Sequence, residues 1–163
     1  MANQQTTEFA LLEASPPGIA DRQLVGAASV TTHGSFEWVT PSDTDTLQIC
    51  RVPVDSTLIS LKLGNDDFGT TLTVDVGFYE AGEPGAVINS DALCTALPYG
   101  TAVTEPAEVR YEVLDQDTTG EFMWELAGLS ERPSYNEMDI VFTVTAETSA
   151  VTATATWIVQ YTL

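Results

Sequence analysis

With 24 Asp and Glu against 5 Lys and Arg, the 163-residue chain carries a formal charge of −19, and it lacks the cations whose counterion release holds proteins to nucleic acid or anionic lipid. Nucleic-acid and membrane partners are therefore not expected, whereas proteins with basic or apolar contact patches are. An apolar content of 44%, with Thr-rich and Val-rich tracts suited to pleated surfaces, argues for one folded β domain and against disorder.

Residues 1–20 read as an extended N-terminal arm. Its apolar cluster is small, Phe9, Leu11 and Leu12, and Pro16 and Pro17 stiffen it while removing two backbone donors. One reading is a frayed terminus. The other is an arm that orders against a neighbouring subunit, with Phe9, Leu11, Leu12 and Arg22 as contact residues. The opening MANQQTTEFALLEASPPG has neither the basic segment nor the apolar run of a signal peptide, and no stretch approaches the ~20 apolar residues of a membrane-spanning helix. Synthesis in a cytosol is the expectation.

Residues 21–163 read as a single, mainly all-β domain, an antiparallel β-sandwich of jelly-roll-like type. SFEWV places Phe36 and Trp38 on one face, and TPSDTDT supplies turn chemistry. LQICRVP and STLISLKLG are strands on either side of Pro53; after the turn NDDFG, TLTVDVGFY sets Leu72, Val74, Val76 and Phe78 against Thr71, Thr73, Asp75 and Tyr79. Such alternation marks a sheet with one face packed and one face wet. Residues 80–107, rich in Gly, Pro, Asn and Asp, are expected to form a long loop, and EVRYEVL another strand. The chain ends in DIVFTVTAE and SAVTATATWIVQYTL, the second with Ala153, Ala155, Trp157, Val159 and Tyr161 on one parity and threonines on the other.

One helix interrupts this pattern. In TTGEFMWELAGLS, Thr118 and Glu121 have capping-box spacing, Phe122, Leu126 and Leu129 fall four and three apart with Met123 beside them, and Gly128 and Pro133 stop the run. A helix over about 118–129 is expected to close one opening of the β core with Phe122, Met123, Leu126 and Leu129; Trp124 is assigned to the core.

No catalytic machinery is evident. His33 in TTHGS is the only histidine and reads as an exposed turn residue; no serine or cysteine stands in a nucleophile context, and no phosphate-binding glycine loop is present. Asp43 and Asp45, Asp66 and Asp67, and Asp115 and Asp117 sit in turns, where Asp bonds its own backbone, so they are not assigned a glycosidase role. A structural ion in those loops is the alternative, although EF-hand spacing is absent. No metal site or cofactor is expected, and the chain is not expected to be an enzyme. Cys50 and Cys94 have no metal or CxxC spacing and are expected to be buried free thiols. In so acidic a chain, a buried Arg51 or Arg110 requires a carboxylate partner.

Three segments in order, RVPVDSTLISLKLGNDDFGTTLTVDVGFYE, GEFMWELAGLSERP and YNEMDIVFTVTAETSAVTATATWIVQYTL, resemble the small β-rich decoration, or cement, proteins of tailed-bacteriophage heads. The resemblance spans about residues 50–163. Asp55 after VPV stands where similar proteins often carry Gly, and the arm matches nothing in the family. The resemblance implies a jelly-roll-like virion protein, made in the host bacterial cytoplasm, that stabilises the head from its outer surface. Its partners would be the major capsid protein and its own copies, in a homo-oligomer for which a trimer is the first expectation. A charge of −19 suits a position away from packaged DNA. Three alternatives stand beside it: a neck or tail component; a carbohydrate- or receptor-binding module using Trp38, Tyr79, Tyr99 and Tyr135 as an exposed platform; and a hydrolase using two of the aspartates.

Overall fold

The computed structural model describes residues 28–69, 72–82, 85–109, 120–146 and 152–163. The arm with Phe9, Leu11 and Leu12, and Arg22 after it, lies outside the described residues. Among the described residues, eight strands run in chain order: β1 (Ser29–Val39), β2 (Thr46–Pro53), β3 (Thr57–Asn65), β4 (Thr73–Glu80), β5 (Val87–Pro98), β6 (Val103–Glu108), β7 (Glu137–Ala146) and β8 (Thr152–Thr162). A single turn of helix, α1 (Met123–Leu126), precedes β7.

The pairing follows one rule. β1 pairs with β8, β2 with β7, β3 with β6 and β4 with β5, as in one long antiparallel ribbon folded at its middle. Rolling the ribbon adds the pairs β3 with β8 and β4 with β7. Two sheets result, ordered β1-β8-β3-β6 and β2-β7-β4-β5, which is the double-Greek-key jelly roll. The first and last strands are thus locked together over eleven residues, Ser29 opposite Thr162 through Val39 opposite Thr152.

Alternation explains the core. Met138, Ile140, Phe142 and Val144 of β7, Val74, Val76 and Phe78 of β4, and Ala153, Ala155 and Val159 of β8 are all buried between the sheets. Through them runs a chain of ring contacts, Trp38 to Phe68 to Tyr99 to Phe142 to Trp157, with centroids 5.8–6.5 Å apart. Phe68 and Tyr99 come from connections rather than strands, so two loops are pinned by core aromatics. Asn65, itself buried, adds a polar tie by donating to the carbonyls of Tyr99 (2.9 Å) and Thr101 (3.0 Å).

Three sequence expectations are corrected. Residues 80–107 hold β5 and β6 rather than a long loop. Against β4, the β5 partner falls from Leu97 to Cys94 to Asn89 as Val74, Val76 and Phe78 advance by two, so extra residues bulge out and erase the period-two pattern. The strand expected at EVRYEVL, residues 108–114, falls mainly on residues 110–119, which lie outside the described residues; β6 ends at its first residue, Glu108.

The second correction concerns His33, which lies in the middle of β1, not in a turn. The third concerns the helix, expected over 118–129: of its described residues only α1 is helical, and Thr118 lies outside the described residues. Phe122 is extended (φ −71°, ψ 156°) and bridges to Thr57, holding the chain in β conformation up to the helix start. With no side-chain acceptor at Phe122, only half of a capping box forms, the Phe122 N–H donating to Glu125 Oε2 at 2.8 Å. Gly128 ends the turn at φ +80°, as its position suggested.

Candidate interaction surfaces

α1 sits on the β2–β3 turn. The Met123 N–H donates to the Ser56 carbonyl (2.8 Å) and the Trp124 N–H to the Val54 carbonyl (3.3 Å). Met123 is fully buried; Trp124, Leu126 and Leu129 are partly buried and pack on the core. Phe122 departs from the inward stripe that its spacing suggested: it precedes the helix and is 37% exposed. Beside the turn, Arg132 Nη2 meets Asp55 Oδ2 at 2.7 Å, and Arg132 Nε lies 2.8 Å and 3.0 Å from the two Asp55 oxygens. Asp55, which departs from the pattern of similar sequences, is thus clasped by a cation from the segment after the helix.

The outer face of the β2-β7-β4-β5 sheet holds a hollow of about 370 Å³, lined by Thr46, Gln48, Tyr79, Gly82, Asp139 and Val141 among others. Its Asp139 side chain is only 2% exposed, and each polar partner is identifiable. Arg51, its cross-strand neighbour, donates from Nε to Oδ1 (2.7 Å) and from Nη2 to Oδ2 (3.1 Å), and the Gly82 N–H reaches Oδ2 at 3.2 Å. The same bonds, with the adjacent negative charge, raise the Arg51 pKa. A carboxylate held by three donors in this way orders the sheet surface, the role of a structural ion pair. Sequence reasoning asked for a partner to Arg51 but had no means of picking Asp139 out of 24 acidic residues.

Other carboxylates are spent on their own surroundings. Asp45 accepts from the Ser42 N–H (2.8 Å) and Asp67 from the Gly69 N–H (2.9 Å), the turn role expected of them. Glu108 accepts from the Leu61 N–H (2.9 Å) and from the Ser60 hydroxyl. Among the described residues, no group of three or more His, Cys, Asp or Glu side chains is placed to hold a metal ion. The aromatic platform is not formed either: Trp38, Tyr79 and Tyr99 are buried, and Tyr135 is partly buried. Cys50 and Cys94 are both buried, and no disulfide joins them.

The outer face of the β1-β8-β3-β6 sheet is different in kind. A shallow groove of about 420 Å³ runs across it, lined by His33, Ser35, Thr104, Pro106, Thr156 and Ile158 with Gly34 and Trp157, none of them a carboxylate. Gly64 stands beside two of the lining residues: a Cβ there would come within 2.8 Å of Thr156 Oγ1 and 3.3 Å of Pro106 Cγ. The groove lining itself carries no carboxylate, but acids flank it on the same face: Glu37 shares the β1 parity of His33 and Ser35, and Glu108 stands opposite Lys62.

No family model matches the chain, and no curated protein does. Solved structures do match. A chain of the cyanophage Pam1 capsid asymmetric unit shares 18% identity at a TM-score of 0.55, over 85% of this chain and 86% of that one. A chain of the capsid of Ralstonia phage GP4 shares 16% at 0.53, over 82% and 84%. The chain shares a capsid jelly-roll fold. A chain of the infectious bursal disease virus Gx strain is similar over 85% of this chain but only 32% of its own length, at 10% identity and a TM-score of 0.52.

Proposed function

We propose that the protein is a structural component of a phage virion, a decoration or cement protein that binds the outer surface of the head and stabilises it. The observation that carries this reading is mutual coverage: the fold shared with the Pam1 capsid chain takes in 85% of one chain and 86% of the other, so the two are alike as whole chains, not through one module of a larger protein. The formal charge of −19 favours a position facing solvent over one facing packaged DNA. The buried state of Trp38, Tyr79 and Tyr99 weighs against the glycan-binding alternative.

In this reading the major capsid protein and other copies of the chain are the partners, and many modest contacts across adjacent capsomers sum to a strong lock. The arm, through Phe9, Leu11 and Leu12, and Arg22 just after it make part of the grip. The test is to mix purified protein with expanded, undecorated heads, pellet them and count bound copies per capsid subunit. Saturable, stoichiometric binding is expected, and deletion of residues 2–18 lowers it while the domain stays folded. Absence of binding overturns the proposal and moves a tail or neck component ahead of it; full occupancy by the deletion variant removes the arm from the contact.

A further inference from the structure

A jelly roll leaves four sheet edges, and an edge strand is a template for another chain unless something blocks it. Three edges here are blocked. β6 carries Pro106, which has no N–H, and its register on β3 shifts after Leu63. β2 is bulged between Gln48 and Cys50 and ends in Pro53. β5 shifts register on β4 three times.

β1 has none of these devices. It keeps unbroken register with β8 over eleven residues, contains no proline and bears one charged side chain, Glu37. Among the described residues it pairs with β8 only. Its side toward the core is also unfinished: Phe36 has the same parity as Trp38, yet it is 46% exposed where Trp38 is 7% exposed. Among the described residues, the edge without a strand partner and the uncovered ring lie on the same strand.

We infer that β1 is a self-association edge, pairing antiparallel with β1 of a second copy about a twofold axis at Phe36. In that register Phe36 faces Phe36, Glu37 faces Ser35 and Trp38 faces Gly34, so both exposed rings are covered and no carboxylate meets another. A second copy is the fitting occupant because the strand is self-complementary: its single acid falls opposite a hydroxyl, whereas a basic foreign strand would find only one carboxylate to pair with. The two β1-β8-β3-β6 sheets then join into one, and the assembly closes as a dimer, in place of the trimer first expected. The inference does not rest on the capsid reading, since it concerns the free protein.

The test uses the full chain without heads. Sedimentation equilibrium in 0.15 M salt is expected to show a reversible dimer. Ser35→Glu, which sets a carboxylate opposite Glu37 twice by symmetry, is expected to raise the dimer Kd about tenfold, and Ser35→Lys to lower it. Ser130→Glu, the same charge change at an exposed loop position, leaves it unchanged. Phe36→Cys is expected to give a disulfide-linked dimer under mild oxidation, and Val87→Cys, on β5, to give none. A monomer at all concentrations, a dimer indifferent to Ser35→Glu, or a dimer abolished by deleting residues 2–18 but not by charge at Ser35 would each overturn the assignment.

Discussion

The indole of Trp157 lies over Gly34, its register partner across β1 and β8, so closely that a Cβ on Gly34 would stand 2.5 Å from Cζ2 and 2.9 Å from Cε2. The ring has little room to retreat, because it also meets Phe142 edge to face at 6.5 Å. Gly34→Ala is therefore expected to destabilise the fold by about 1–3 kcal/mol, the usual range for overpacking a closed contact. Ser35→Ala, one residue on and exposed, should stay within about 0.5 kcal/mol of the parent. Urea unfolding followed by tryptophan fluorescence measures both.

The turn before β7 separates two residues that their sequence pattern joins. Met123 is fully buried against the core, while Phe122 stands outside the helix and is more than a third exposed. Met123→Ala is expected to lower stability by about 2–5 kcal/mol through lost burial and the cavity left behind. Phe122→Ala should cost much less. The reverse order in a denaturation series would restore the inward stripe suggested by the spacing of Phe122, Leu126 and Leu129.

That contrast shows what local pattern carries. β7 and β8 are legible from DIVFTVTAE and TATATWIVQYT because each is an inner strand, flanked on both sides, with one face on the core. β5 is not, since its bulges against Val74, Val76 and Phe78 destroy the alternation. The helix boundary is hidden because Thr57, far away in sequence, holds Phe122 extended. The candidate surfaces are harder still. Nothing within SVTTHGSFEWV says that β1 is an outer strand; that follows only from the order of pairing. Its single acid in a chain with 24 was the available signal.

The clasp between Arg132 and Asp55 gives a pH-dependent prediction. Hydrogen bonding to Arg132 lowers the Asp55 pKa below its ordinary 3.8; desolvation opposes this and the Arg132 charge adds to it. A lowered folded-state pKa stabilises the protein above the unfolded value, and that contribution is lost as pH falls through the folded one. Both side chains are about half exposed, so the effect is modest and screened by salt. Asp55→Asn is expected to melt below the parent at pH 7 and to converge with it as pH drops below 3.8. A gap that persists at low pH would assign the loss to the turn itself and not to the charge.

The last prediction concerns the alkaline side. Burial, and then the nearby Asp139 charge, pushes the Cys50 thiol up from 9.0 to about 12, and burial drives the Tyr99 hydroxyl upward as well. Between pH 9 and 12 the unfolded chain releases the Cys50 proton while the folded chain keeps it, so stability falls as pH rises through that window. Cys50→Ala is expected to flatten the slope of unfolding midpoint against pH above 9, whatever its effect at neutrality. A thiolate is the reactive form, so a disulfide reagent at pH 8 should leave the native protein unmodified and label both cysteines once urea unfolds it. Rapid labelling of Cys50 in the native state would mean that the β2 edge opens well short of global unfolding.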